Sequence, residues 1–192
     1  MKKILLSMML AVVAMSGCAD NSKKQADSSM EAVDNSQETV AVEADGIEAP
    51  DFTLNDLNGK PLTLSSLRGK YVILDFWGSW CGWCIKGIPQ MKEYYQKYAG
   101  KFEILGIDCN DPEAKWKAAV EKYELPWLHV YNPRDSKVLE QYEIQGFPTK
   151  IIVGPDGKIV KTIIGEDPAF YAFLDELFKN WHQHPRPTAE GV

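Results

Sequence analysis

An α/β fold class is predicted for this 192-residue chain by three observations. Tyr71 to Phe76 and Phe102 to Asp108 are short, nearly continuous apolar runs, the pattern of strands covered on both faces. Each is followed by apolar residues at helical spacing: Ile88, Met91, Tyr95 and Tyr98 after the first, Trp116, Val120 and Tyr123 after the second. Turn clusters at Asn58-Gly59 and at Gly154-Pro155-Asp156-Gly157-Lys158 separate further strand-like runs.

The elements follow in order. Asp51 to Leu64 alternates in part around Asn58-Gly59 and reads as a β-hairpin. Tyr71 to Phe76 is the first central strand. The helix after it runs to about Tyr98, with Pro89 inside it as a kink. Phe102 to Asp108 is a second buried strand. Asp111-Pro112-Glu113 reads as a helix start, with Asp111 as cap and Pro112 at the first position. Trp127 to Tyr131 is a short strand, and Ser136 to about Tyr142 a short helix. Thr149 to Val153 and Ile159 to Ile164 are paired strands across the turn cluster. Asp167-Pro168 opens a last helix whose apolar face is Phe170, Phe173, Leu174, Leu177, Phe178 and Trp181.

Three segments stand outside this domain of residues 50–181. Lys2 and Lys3 precede an apolar run, Ile4 to Met15, which is too short to span a bilayer and reads as a signal-peptide core within residues 1–17. It ends in Met15-Ser16-Gly17-Cys18, which resembles a bacterial lipoprotein box, with Met15 where Leu is usual. On that resemblance Cys18 is the lipidated residue and the anchor to a membrane, not a redox group. The competing reading is an ordinary secretory signal. Residues 18–49 lack apolar periodicity. From Ala19 they carry eight acids and two bases, so they read as a disordered tether spanning roughly 30 Å. The charge of −6 lies mostly there, and no basic stripe with aromatics occurs, which argues against a nucleic-acid partner. Residues 182–192 read as a flexible tail.

The chemistry is concentrated in Trp80-Cys81-Gly82-Trp83-Cys84, where a strand hands over to the start of a helix. The first turn of a helix has unpaired N–H groups and partial positive charge. A thiolate at Cys81 is stabilised there and nucleophilic near neutral pH. Cys84, three residues on, lies on the same helix face within disulfide reach. Cys81 can attack a disulfide and Cys84 can resolve the mixed disulfide.

These residues resemble the thioredoxin-fold proteins. Val72-Ile73-Leu74-Asp75-Phe76-Trp77 with the Cys81–Cys84 motif is similar to that family's active-site strand. Pro89 has the spacing of its helix proline. Tyr142-Glu143-Ile144-Gln145-Gly146-Phe147-Pro148-Thr149 resembles the loop that carries its cis-proline. The entry Ala49-Pro50-Asp51-Phe52, the hairpin and the extra helix and strand at about 112–131 look like the membrane-tethered TlpA/ResA branch. The resemblance implies a three-layer α/β/α sandwich with a mixed central sheet. It implies a thiol–disulfide oxidoreductase of the cell envelope, lipid-anchored and facing the periplasm, with no cofactor beyond the Cys81–Cys84 disulfide. Its expected partners are disulfide-containing envelope proteins, reduced with electrons from a membrane donor of the DsbD/CcdA kind. Trp80, Gly82, Trp83, Phe147 and Pro148 are the expected substrate-docking residues, and Asp75 the base for Cys84. The competing reading of Asp75 is a structural carboxyl.

Three departures from the family's pattern stand out. Trp83 replaces the usual Pro between the cysteines, a position that tunes potential within about −270 to −120 mV. Gly87 stands where ResA-like proteins often carry an acid. The lysine that accompanies the buried aspartate is missing, with Ile104 at the matching place. Among the other candidates, Cys109 reads as a buried apolar residue rather than a third redox thiol. Trp77 reads as core, Trp80 and Trp83 as surface, His129 as packed, and His182 and His184 as tail residues without a metal. A zinc site is disfavoured because no second cysteine pair exists. The competing functions are a peroxiredoxin-like thiol peroxidase and a copper or zinc chaperone.

Overall fold

The computed structural model describes residues 46–179. The expected signal peptide, Cys18 and most of the expected tether lie outside the described residues. So do Trp181, His182, His184 and the rest of the tail. Among the described residues seven strands form one sheet: β1 (Thr53–Asp56), β2 (Pro61–Thr63), β3 (Tyr71–Trp77), β4 (Phe102–Asp108), β5 (Leu128–Tyr131), β6 (Thr149–Val153) and β7 (Ile159–Ile164). Their spatial order is β2-β1-β5-β4-β3-β6-β7. β5, β4 and β3 are parallel, and the remaining pairs are antiparallel, so the sheet is mixed. The helices are α1 (Gly82–Lys97), α2 (Glu113–Lys122), α3 (Val138–Gln141) and α4 (Pro168–Lys179).

Alternation along the strands sorts side chains into two apolar layers. Ile73, Trp77, Ile104, Ile152 and Ile163 point to one face, where they meet α1, α2 and α4. Val72, Leu74, Phe76, Leu105, Ile107 and Val130 point to the other. That second face has only light cover: a 3-10 turn at Leu64–Leu67, the single-turn α3, and the entry segment with Ala49 and Phe52. β3 lies between β4 and β6, and Val72 to Trp77 are all buried, which explains its unbroken apolar run.

The hairpin turns where expected. Asp56 Oδ1 accepts from the Asn58 and Lys60 N–H groups, and Gly59 takes the positive φ of +75° that the turn requires. The folded unit starts earlier than the composition shift at Pro50. Ile159 N–H donates to Ile47 O, Ala49 N–H donates to Gly157 O, and Ala49 is buried. Main-chain hydrogen bonds at Ile47 and Ala49, with only Ala49 buried, seat this end of the acidic segment on the β6–β7 turn.

One helix start is corrected. Asp111 does not cap α2; Pro112 is the N-cap residue. The Asp111 carboxylate instead accepts from the Ser79 N–H at 2.6 Å and the Ser79 hydroxyl at 2.7 Å. A part-buried main-chain donor in the active loop outcompetes the helix end for that acceptor. Asp167, by contrast, does accept from the Ala169 N–H at the start of α4.

Candidate active site

The site forms at the C-terminal end of β3. The chain leaves Trp77, turns through Gly78, Ser79 and Trp80, and enters α1 with Cys81 as the N-cap residue. Cys81 has extended backbone, and its Sγ accepts from the Cys84 N–H at 3.1 Å. A sulfur thus takes the place usually held by a capping oxygen, aimed at the unpaired donors of the first turn. Cys81 and Cys84 are joined by a disulfide, with Cα atoms 5.2 Å apart. Cys84 lies on the buried face of α1 with Gly87, Ile88 and Met91.

Two clasps hold the loop before Cys81 to the end of β4. One is Ser79 on Asp111. The other is the Trp80 indole N–H, which donates to Cys109 O at 2.8 Å. The Trp80 ring also meets Phe147 edge-on, with centroids 5.3 Å apart. The Phe147–Pro148 peptide bond is cis. Thr149 pairs with Phe76 in the β3–β6 ladder, so Phe147-Pro148 lies beside the point where the active loop begins. None of the turn or loop main-chain hydrogen bonds among the described residues uses the Phe147 N–H or C=O. Trp80 and Trp83 are 53% and 61% exposed, while Trp77 is buried. The Lys86 ammonium sits 4.6 Å above the Trp83 ring. Gly82, beside Cys81, would leave open space around an added Cβ.

Asp75 lies on β3 facing α1. The flanking Ile73 and Trp77 belong to the same apolar cluster as Cys81 and Cys84. Burial pushes its carboxyl up, Lys150 opposes this, and Glu166 adds to it. The missing lysine is therefore corrected. Ile104 does occupy the β4 position, but the sheet register sets Lys150 of β6 opposite Asp75. Lys150 Nζ lies 4.0 Å from Asp75 Oδ1 and donates to Glu166 Oε2 at 2.9 Å. The Tyr171 hydroxyl donates to Glu166 Oε1 at 2.7 Å. Gly87 has a matching explanation. A Cβ built there would collide with the Glu166 carboxylate, so an acid does reach that space, from the turn after β7. Lys150, Glu166 and Tyr171 were not legible as site residues. Their only sequence signal was a lysine inside the otherwise apolar β6 run.

Cys109 is fully buried on the opposite face of the sheet, its thiol donating to Ile107 O, and burial pushes its thiol up. It is a packed side chain whose main chain anchors Trp80. His129 is buried between the Trp77 and Trp127 rings, each 6.1 Å away, and burial lowers it to about 4. Asp108 is fully buried and pushed up to about 8, first by burial and then by Asp111. Among the described residues no three of His, Cys, Asp and Glu converge as a metal-holding group. Nor is any helix there long and apolar enough to cross a membrane.

Comparison with known proteins agrees with this geometry. Residues 46–162 match the AhpC/TSA family. The chain is 41% identical over 122 residues to a thiol-disulfide oxidoreductase ResA of Bacillus cereus, covering 63% of this chain and 70% of that protein. It is 34% identical over 123 residues to the ResA of Bacillus subtilis, covering 64% and 68%. Among solved structures it is similar to the thioredoxin domain of a thiol-disulfide oxidoreductase from Bacteroides vulgatus. That match has TM-score 0.63 and 36% identity, covering 69% of this chain and 96% of that one. A thiol-disulfide oxidoreductase from Bacteroides fragilis matches with TM-score 0.62 and 31% identity, covering 68% and 99%. Shared fold, matched length and a closed cysteine pair agree: the chain belongs to the AhpC/TSA family, as a thioredoxin-fold thiol-disulfide oxidoreductase.

Proposed function

We propose that the protein reduces disulfides in partner proteins of the cell envelope, cycling Cys81 and Cys84 between dithiol and disulfide. The observation that carries this reading is the Cys81 sulfur at the N-cap of α1, bonded to the Cys84 N–H. In the reduced protein the same N–H and the helix field stabilise a Cys81 thiolate. That thiolate attacks a partner disulfide, and the first partner sulfur leaves as a thiolate. Cys84 then attacks Cys81, and the second partner sulfur leaves. Asp75 takes the proton that Cys84 must lose. An extended partner segment lies against the cis turn, bonding to the free N–H and C=O of Phe147, while Pro148 offers no competing N–H. Trp80, Gly82 and Trp83 form the apolar surface around the attacking sulfur, with glycine leaving clearance beside it. No further cofactor enters the cycle.

Reduction as the net direction requires a membrane electron donor of the DsbD/CcdA kind to reopen the disulfide. Anchoring through a lipidated Cys18 would keep the domain near such a donor, on the periplasmic side, at the end of its tether. Reduction of insulin disulfides with dithiothreitol as electron source tests the reaction. Cys81→Ser abolishes turnover, and Cys84→Ser accumulates covalent mixed disulfides with envelope proteins. A reduction potential well above about −150 mV overturns the reducing direction. Turnover retained in Cys81→Ser overturns the assignment of the nucleophile.

A further inference from the structure

Behind the disulfide lies an ionic group that the exchange steps leave unexplained. The Lys150 side chain is 3% exposed and reaches two carboxylates, Glu166 at 2.9 Å and Asp75 at 4.0 Å. Its ammonium also lies 5.5 Å from the centre of the Phe170 ring. Both Glu166 oxygens have donors, Lys150 on one and Tyr171 on the other. Asp75 Oδ1 has no hydrogen-bond partner. One buried cation cannot neutralise two buried carboxylates, and an uncompensated buried charge is strongly disfavoured. The distances decide which acid is left over: Glu166 holds the lysine, and Asp75 does not. Glu166 is also placed against the dithiol helix. Its carboxylate fills the space left by the absent side chain of Gly87, one turn beyond Cys84 on the same face of α1.

We propose that Glu166 is a positioning residue for the dithiol: by holding the Lys150 ammonium away from Asp75, it keeps the Asp75 carboxyl able to take the Cys84 proton and to return it. The inference rests on Asp75 serving as the proton acceptor. In the resolving step Cys84 passes its proton to the Asp75 carboxylate. The Cys84 sulfur attacks Cys81 Sγ, the Cys81–Cys84 bond forms, and the bond from Cys81 to the partner sulfur breaks. That sulfur leaves with the electron pair and takes a proton from water. Over the whole exchange the protein dithiol is oxidised by two electrons and the partner disulfide is reduced by two. In the reverse reaction Asp75 returns the proton to the Cys84 sulfur.

The charged and titratable groups around Asp75 are few. Among the described residues, Lys150 reaches it from β6, Glu166 from the turn after β7, Tyr171 from α4 and Cys109 from the end of β4, and Cys84 of α1 shares the apolar cluster of its β3 neighbours Ile73 and Trp77. Tyr171 and Cys109 are both pushed up, chiefly by their own burial, and stay protonated near neutrality. The sign of each substitution follows. Glu166→Gln removes a negative neighbour and frees Lys150 for Asp75, so the carboxyl loses its proton at lower pH. Lys150→Met removes the cation that opposes burial, so it loses its proton at higher pH.

The test is the rate at which a glutathione mixed disulfide on Cys81 is resolved by Cys84, followed by stopped flow across pH. The rate rises with pH as Asp75 ionises. The midpoint of that rise is expected to move down in Glu166→Gln and up in Lys150→Met, with native circular dichroism in both. Lys150→Gln carries the same expectation if Lys150→Met does not fold. Unmoved midpoints, or midpoints that move in the same direction, overturn the role of Glu166. Asp75→Asn separates the two ideas. If that variant keeps the rise, the assignment of Asp75 itself fails. If it removes the rise while the Glu166 and Lys150 variants leave the midpoint in place, only the positioning role fails.

Discussion

Trp83 and Cys84 are adjacent in the chain, yet Trp83 is 61% exposed and Cys84 is buried. The helix turns one to solvent and the other into the apolar layer beneath it. Trp83→Ala is therefore expected to leave unfolding free energy within about 0.5 kcal/mol of wild type. It should raise KM for a protein disulfide severalfold while small-disulfide exchange stays within about twofold. Equal losses on both substrates would assign Trp83 to the chemistry instead. Gly87→Ala makes the opposite case, a change the helix itself welcomes. Its methyl group must displace the Glu166 carboxylate, and overpacking of this kind costs about 1–3 kcal/mol. A thermal melt with no loss relative to wild type would mean that Glu166 swings clear. At this scale Cys81 was legible because the helix start and the Cys84 N–H that its sulfur meets lie within four residues. The Asp75–Lys150 pair was not, because it is made by antiparallel register between segments 75 positions apart.

At the scale of elements, strands and helices followed from periodicity, and the misread element was a boundary. Asp111-Pro112-Glu113 carries good helix-start chemistry, and local pattern cannot reveal that Ser79 will arrive beside it. The tether boundary failed for a similar reason, since Ile47 and Ala49 acquire partners only when the β6–β7 turn comes up. The clasp that replaces the expected cap has a measurable consequence. Asp111→Ala leaves the Ser79 N–H without its acceptor and removes one of two ties on the active loop. The expected cost is about 1–3 kcal/mol of stability together with slower disulfide exchange. Asp111→Asn keeps one acceptor oxygen and is expected to recover much of both. Urea unfolding and exchange rates on the two variants check this. Equal defects in both would place the charge, rather than the hydrogen bonds, at the root of the effect.

Across the whole molecule the two layers differ in chemistry as well as in thickness. The lightly covered face is almost wholly apolar, whereas the face beneath α1, α2 and α4 holds Asp75, Asp108, His129 and Lys150. Between about pH 4 and 8 the largest pH responses of stability therefore belong to the layer that carries the dithiol. His129 stays neutral down to about 4 in the fold, while an unfolded imidazole takes up its proton near pH 6.5, so acidification between those values favours unfolding. Asp108 keeps its proton up to about 8 in the fold, while an unfolded aspartate loses it near pH 4, so rising pH across that window favours unfolding. Each group contributes a slope of at most about 1.4 kcal/mol per pH unit. Between about pH 4 and 6.5 the two slopes oppose; above 6.5 Asp108 acts without His129. Asp75 is raised as well and adds to the alkaline decline in any variant that retains it, so the difference between variant and wild type isolates Asp108. Asp108→Asn is expected to gain stability over wild type steadily from pH 4.5 to pH 8 in urea unfolding of the oxidised protein. Its own curve should fall less, or rise more, with pH from 4.5 to 6.5 than the wild-type curve, because Asp75 alone then opposes His129. A difference that stays constant across the range would mean that Asp108 is ionised in the fold, and that the layer compensates its charge through Asp111 and the surrounding main chain.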